Sequence, residues 1–325
     1  MLLTFPESHA LLKTQIIINP ESNKGQTGKK WIRIKEALSN FFKEFKYEFT
    51  KEPTHATELS RSAIKEGTEL IVGIGGDGTI NEIANGFFEN HEIINPETSL
   101  GIVPSGTGSD FSRSLNIPQN LKGSMEVITQ SQKPDTIDIG KIKYDSLDGN
   151  KEERFFLNVA DFGFGGEVVK RVEEKRLKRK ASSYLRTLIF TFASYQSKKL
   201  SIKIDGKEYP TDKYLIGAIS NGSIFGKGMK IAPFSRLNDG LFDVILVRGM
   251  EKLEFFLNVW KIYQGTHLSN PKIKFIRGKK IEVTSDEDVL IEADGELIGK
   301  APVRFEIVPT ILSVRTNLKT SPRVS

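Results

Sequence analysis

The sequence predicts an α/β protein in two parts, a parallel-sheet part followed by a β-rich, largely antiparallel part. Three observations carry that prediction. Up to about Pro134, apolar runs of strand length alternate with stretches of helical spacing, the signature of βαβ units. Beyond it, short strand candidates follow one another between Gly, Asn, Asp and Pro, as in antiparallel sheets. The length of 325 residues suits two domains that each bury a core.

Residues 14–19 form an apolar, β-branched run closed by Pro20 and read as a buried strand. Residues 28–42 carry Trp31, Ile34, Leu38 and Phe41 near one helical face. A short strand is expected at 46–50. A helix at 56–66 has Thr54 as its expected N-cap and Gly67 as its stop. Residues 69–74 form a strand that runs straight into Gly75-Gly76-Asp77-Gly78-Thr79, a helix follows at 80–88, and another strand at 100–103. In the second part, strands are expected at 137–143, 154–160, 200–205, 214–220, 241–247, 272–275, 280–284 and 289–293, with a last strand at 312–316. Helical stretches interrupt them near 166–195 and 251–264.

Composition narrows the function classes. Charged residues make up 27% and hydrophobic residues 38%, as in ordinary globular chains. No cysteine is present, so disulfides and cysteine-based metal or nucleophile sites are excluded. The four histidines, His9, His55, His91 and His267, lack metal-ligand spacing. A net charge of +6 suits an acidic partner without choosing among nucleic acid, polyphosphate and anionic membrane. Met1–His9 lacks a basic leader region and no apolar run spans a bilayer, so the expected compartment is the cytoplasm.

Strand, then Gly-Gly-Asp-Gly-Thr, then helix is an arrangement that binds phosphate. Glycines permit sharp turns and close approach, and the helix start offers N–H groups and a positive dipole end. Asp77 places an anion there, which makes sense with a divalent cation between it and phosphate. A tight turn with Asp77 as a cap is the plain alternative. The run is neither a dinucleotide fingerprint nor a Walker A loop. Two further polar loops follow strands: Asn19-Pro20-Glu21-Ser22-Asn23-Lys24-Gly25, and Pro104 through Phe111 with Ser105, Gly106, Thr107, Gly108, Ser109 and Asp110 between. Ligands bind at this edge of open α/β sheets, so the three loops together describe one nucleotide-phosphate cleft.

These motifs resemble the diacylglycerol and sphingosine lipid-kinase family, most closely its soluble bacterial members. The matching residues are Asn19-Pro20, Gly75 through Glu82, Pro104 through Phe111, Asn238-Asp239-Gly240-Leu241-Phe242-Asp243 and Asp294-Gly295-Glu296. The resemblance implies a Rossmann-like three-layer nucleotide-binding domain, residues 1–136, with 307–325 packing back on it. It implies a β-sandwich-like lipid-substrate domain, residues 137–306, with the active site in the cleft between the two.

Carried over by residue, the resemblance puts ATP against Asn19, Pro20, Glu21, Ser22, Asn23, Thr50, Gly76, Asp77, Gly78, Thr79, Ile80, Asn81, Glu82 and Thr107. Asp77 and Asp110 would hold a catalytic Mg2+. A structural Mg2+ would sit on Asp239 with the backbone carbonyls of Arg236 and Leu241. Glu296 would be the general base, with Asp294 the competing candidate and Asp77 part of the catalytic set. On the residues alone, Asp294-Gly295-Glu296 is a hairpin turn with an exposed Glu. Glu21, Asn23 and Gly108-Ser109 depart from the commoner residues of the family.

The resemblance therefore implies γ-phosphate transfer from ATP to a lipid hydroxyl, with diacylglycerol as the expected acceptor. An NAD kinase-like phosphotransferase and a non-catalytic lipid-binding relative are the rivals. The expected partners are a lipid at a membrane surface and, as an option, a second copy in a homodimer; nucleic acid is not among them. The run 170–180 holds seven Lys or Arg in eleven residues. It reads either as a solvated helix or as an element drawn to anionic lipid at roughly 1 kcal/mol per basic residue.

Overall fold

The computed structural model describes residues 12–131, 133–177, 184–316 and 318. The expectations for Met1–His9 and for Lys178, Arg179 and Lys180 lie outside the described residues. The chain divides into two compact units, one of residues 1–137 and 310–325 and one of residues 138–309. The boundaries expected from the sequence lie one and three residues ahead of these.

Unit 1 is built on a parallel sheet. Strand β1 (Thr14–Ile18) lies between β2 (Lys46–Phe49) and β3 (Leu70–Gly75). Beyond β3 comes β6 (Ser99–Pro104), reached after the small hairpin of β4 (Phe88–Glu89) and β5 (Glu92–Ile93). The end of the last strand joins this sheet through Val314 beside Leu100. Every residue of β1 and β3 is buried, because helices cover both faces of such sheets and leave no polar side to alternate with. Ile16, Ile18, Val72 and Ile74 form its core with Leu38 and Met125.

The connecting helices are α1 (Ser22–Lys29), α2 (Trp31–Ser39), α3 (His55–Lys65), α4 (Asp77–Asn85), α5 (Asp110–Ser114) and α6 (Leu121–Gln130). The helix expected over 28–42 is shorter, and α1 is interrupted by Asn23, Lys24 and Gly25, all with left-handed backbone. Thr54 does not cap α3: its φ of 71° is left-handed and its side chain makes no cap bond. Glu82 of α4 does this instead, its carboxylate accepting the Ala56 N–H at 3.2 Å.

Unit 2 is antiparallel. It contains β7 (Asp135–Asp145, from Asp138 on), β8 (Lys151–Phe156) and β9 (Val159–Gly163), then β10 (Lys198–Ile204), β11 (Lys207–Ser220) and β12 (Phe242–Arg248). It continues with β13 (Ile273–Gly278), β14 (Lys280–Thr284), β15 (Leu290–Ala293) and β16 (Glu296–Val314, up to Pro309). The order runs β13-β12-β11-β10-β14-β16, with β9 joining β11 to β15. Leu200, Ile202 and Ile204 of β10 point inward while their neighbours face outward, the period-two pattern of a half-buried sheet. Phe156, Phe162, Phe242 and Phe305 fill the sandwich core.

Helices α7 (Phe164–Leu177), α8 (Tyr184–Ser194) and α9 (Lys252–Gln264) cover a second apolar cluster. There the Phe192 and Phe255 rings stack with centroids 3.7 Å apart. Two expectations change. The strand expected at 154–160 is two strands, broken at Leu157 and Asn158, whose N–H groups turn to the Asp294 carboxylate instead of a ladder partner. The last strand is not a separate 312–316 but the end of β16.

Candidate active site

In unit 1 the three loops at the carboxyl ends of β1, β3 and β6 are tied to one another. The Asn19 side-chain amide donates to Thr79 Oγ1 at 2.9 Å, joining the first loop to the glycine run. Thr27 Oγ1 lies 2.6 Å from both Ser22 Oγ and Ser105 Oγ, joining it to the second glycine loop. The Ser105 N–H donates to the Gly75 carbonyl at 2.7 Å. The two glycine loops touch so closely that a Cβ on Gly106 would sit 2.8 Å from Gly76 Cα, so no side chain fits there.

Asp77 is the centre of this arrangement. Its carboxylate accepts the N–H groups of Asp110 at 3.0 Å and Phe111 at 3.2 Å, so it caps α5 and not its own helix. Burial pushes its pKa up, and the backbone donors at Asp110, Phe111 and Ser109 oppose that. The start of α4 has Gly76 as N-cap and no side-chain cap. A Cβ built on Gly108 would lie 3.5 Å from Asp77 Oδ2 and 3.6 Å from Asp110 Oδ2. The missing side chain thus leaves a space flanked by two carboxylates. Asn23 and Lys24 hold φ of 52° and 58° in the first loop, costly for residues with a Cβ and typical of ligand-binding turns.

The remaining expected residues divide. Thr107 is exposed on the second loop. Thr50 continues β2, its N–H donating to the Ile18 carbonyl at 2.8 Å. Ile80 is 3% exposed and belongs to the core, so its side chain does not face a ligand. Glu82 ties α4 to α3, as above, and Asn81 is buried with the Asn85 side chain donating to it at 3.0 Å.

In unit 2, Asp294 and Gly295 turn the hairpin from β15 to β16 with φ of 50° and 87°, the left-handed pair that a two-residue Asp-Gly turn requires. Asp294 Oδ2 accepts the Leu157 N–H at 2.7 Å, and Oδ1 those of Asn158 and Val159 at 2.9 and 3.2 Å. Both oxygens are therefore committed to backbone donors. Glu296 stands at the hairpin's end with its side chain 43% exposed, and Arg154 Nη1 donates to its Oε2 at 3.0 Å. Sequence reasoning missed Arg154, because its contact to Glu296 spans 142 residues.

The model for the diacylglycerol kinase catalytic domain matches residues 13–142, and that for the YegS C-terminal NAD kinase beta sandwich-like domain matches residues 158–316. The chain thus carries a diacylglycerol kinase-like catalytic domain followed by a YegS-like C-terminal domain. It is an ATP-dependent lipid kinase. It is 28% identical over 306 residues to the diacylglycerol kinase of Staphylococcus aureus (strain MRSA252), covering 90% of this chain and 89% of that one. With the diacylglycerol kinase of Staphylococcus carnosus (strain TM300) it shares 27% over 305 residues, 90% and 91% of the two chains. A crystal structure of a candidate diacylglycerol kinase from Bacillus anthracis str. Sterne superimposes with a TM-score of 0.76 at 25% identity, covering 97% of this chain and 99% of that one.

The lipid kinase's donor sets for magnesium differ. Asp77 and Asp110 fit Mg2+, which takes one or two carboxylates, keeps several waters and leaves room for substrate phosphates. The Gly108 space beside both carboxylates is the observation that supports this. The expected structural site does not fit. Asp239 is ion-paired with the Arg277 guanidinium and accepts the Leu241 N–H at 3.2 Å. Arg277 Nε also donates to buried Asp243 at 3.0 Å. The Arg277 guanidinium already neutralises the Asp239 carboxylate, the one charged ligand expected of that site with Arg236 and Leu241. Among the described residues, no group of three or more His, Asp or Glu forms a metal cluster.

Unit 2 also holds an apolar cavity of about 70 Å³ under its helices, lined by Phe164, Leu215, Met229, Met250, Phe255 and His267 among others. His267 is 2% exposed, and its Nε2 donates to the Ile231 carbonyl at 3.0 Å. Burial pushes its pKa down, which favours the neutral ring, and the bond to Ile231 opposes that. Among the described residues, no helix is long and apolar enough to cross a membrane. Of the basic run, Arg171 pairs with Glu167 at 3.3 Å and Lys175 donates to Thr187 at 3.0 Å.

Proposed function

We propose that this lipid kinase phosphorylates diacylglycerol to phosphatidic acid, with Glu296 as general base. The observation that carries the base is the committed state of Asp294 against the half-exposed carboxylate of Glu296 on the same hairpin. The three loops of unit 1 hold the ATP phosphates, with N–H groups at the start of α4 and the strained first loop as donors. Asp77 and Asp110 hold magnesium, which when bound neutralises charge on the phosphates.

Glu296 takes the proton of the lipid hydroxyl as its oxygen bonds to the γ-phosphorus. The bond from that phosphorus to the bridging oxygen breaks, and its electron pair leaves with ADP. Positioning and charge supply most of the rate, and the base supplies about 10²- to 10⁴-fold. Asp294 keeps the hairpin in place. The apolar cavity of unit 2 receives part of an acyl chain, as dry apolar cavities bind apolar ligands. The acceptor is reached at a membrane surface.

Incubation with labelled ATP and a panel of diacylglycerol, ceramide, sphingoid base, phosphatidylglycerol and NAD tests the substrate. Phosphatidic acid as the dominant product is expected, and dominant labelling of any other acceptor overturns that reading. The base is tested with Glu296→Gln. A fall in kcat of about 10²-fold or more is expected, and near-normal turnover would remove Glu296 from the role.

A further inference from the structure

Behind the hairpin that carries Glu296 lie two carboxyl groups that the mechanism does not use. Asp161 of β9 and Glu292 of β15 are direct cross-strand partners, and they are 1% and 4% exposed. Glu292 Oε2 accepts the Gly295 N–H at 2.8 Å, which fastens the turn residue just before Glu296. Asp161 lies against the backbone at the start of α7, where a Cβ on Gly165 would collide with its carboxyl group. Neither Asp161 oxygen has a hydrogen-bond partner of ordinary geometry, although the Glu292 carboxyl and the Gly166 N–H both act on it. The buried Tyr195 hydroxyl, also without a partner, is close enough for the Asp161 charge to raise its pKa.

Two buried like charges opposite each other on paired strands are strongly unfavourable, so such a pair keeps a proton between its members. We propose that Asp161 and Glu292 are positioning residues that share a proton and thereby hold the Asp294-Gly295 turn, and with it Glu296, in its working place. The proposal rests on Glu296 being the base. Loss of the shared proton sets the two strands' carboxylates against each other, loosens the Gly295 bond and displaces Glu296.

Burial is the main cause that lifts both groups, Asp161 to about 7 and Glu292 well above its ordinary value. The groups facing them are Asp294 from the hairpin, the Tyr195 hydroxyl beyond α8 and the Gly166 N–H from α7. Glu167 and Glu287 act on Tyr195 in turn. The Asp294 charge pushes Glu292 the same way as burial, and the Gly166 and Gly295 N–H groups oppose burial more weakly. The sign follows: the pair is intact on the acid side and fails as pH rises through its titration.

The experiment compares the full chain with Glu292→Gln, Asp161→Asn and Glu292→Ala. The wild type should lose kcat above neutral pH by about tenfold per pH unit, with its KM for ATP unchanged. Glu292→Gln keeps an acceptor for Gly295 and supplies donors toward Asp161. It should retain kcat within about twofold at pH 6.5 and hold it to higher pH, whereas Glu292→Ala should lose about tenfold at all pH values. Amide exchange of residues 289–298, corrected for its intrinsic pH dependence, should rise with pH in the wild type and stay level in Glu292→Gln and Asp161→Asn. Equal pH dependence in wild type and Glu292→Gln, in both exchange and kcat, overturns the proposal. If exchange behaves as expected while Glu296→Gln remains fully active, the pair's hold on the hairpin stands and the base reading fails.

Discussion

Asp77 in unit 1 and Asp294 in unit 2 solve the same problem with the same chemistry. Each spends its carboxylate on backbone N–H groups of a distant loop, Asp110 and Phe111 in one case and Leu157, Asn158 and Val159 in the other. The surroundings differ. Asp77 faces the open space at Gly108 and has a second carboxylate beside it. Asp294 has two oxygens for three donors and closes a turn. One acid clamps a loop beside an open space that the proposed reaction gives to a cation; the other clamps the backbone, and in that proposal leaves the chemistry to Glu296.

That comparison can be broken by exchanging which property each acid controls. Asp77→Ala should cut kcat by about 10³-fold, the scale of losing a central electrostatic group, while lowering stability by only about 1–2 kcal/mol for two released donors at the loop. Steady-state kinetics and urea unfolding of the same preparation measure both. Asp294→Ala should show the reverse weighting. It leaves three N–H groups of a buried segment without their acceptor, a loss of about 3 kcal/mol or more, and kcat of the folded fraction should fall by about tenfold to 10²-fold as Glu296 shifts. Equal stability losses in the two variants would dissolve the distinction. The smallest effect belongs to the cavity of unit 2. Val247→Phe, at its wall, should cost about 1–3 kcal/mol by overpacking and raise KM for long-chain diacylglycerol about threefold while KM for ATP stays constant.

The two regions were also unequally legible. The glycine loops are contiguous in sequence, and the strands before them and the helix after the first follow from local periodicity, whereas the five residues of α5 are too few to show a period. The ties among them are side-chain and backbone bonds between neighbouring strand ends, which a parallel sheet brings together by its order alone. In unit 2 the partners lie far apart: Asp294 reaches residues about 135 positions earlier, and Arg154 reaches Glu296 across 142. Antiparallel pairing over such distances leaves no local trace. Asp161 and Glu292 did leave one, an acid inside an apolar strand run on each side, and an acid in such a place signals a partner. Thr54 shows the opposite failure. Its residue type suits an N-cap, but its left-handed backbone turns the hydroxyl away and Glu82 supplies the acceptor. The Arg277 pairing with Asp239 and Asp243 likewise depended on strand register that periodicity does not fix.

Ser22, Thr27 and Ser105 form a row of hydroxyls, each 2.6 Å from the next. Such a row has two proton orders. In one, Ser22 donates to the Asn19 carbonyl, each hydroxyl donates back toward it, and Ser105 keeps its lone pairs for an incoming donor. In the other, the direction reverses and Ser105 offers a proton outward. Reversing the row takes a concerted rotation of all three hydroxyls. The row can thus present either a lone pair or a proton at Ser105 without moving a heavy atom.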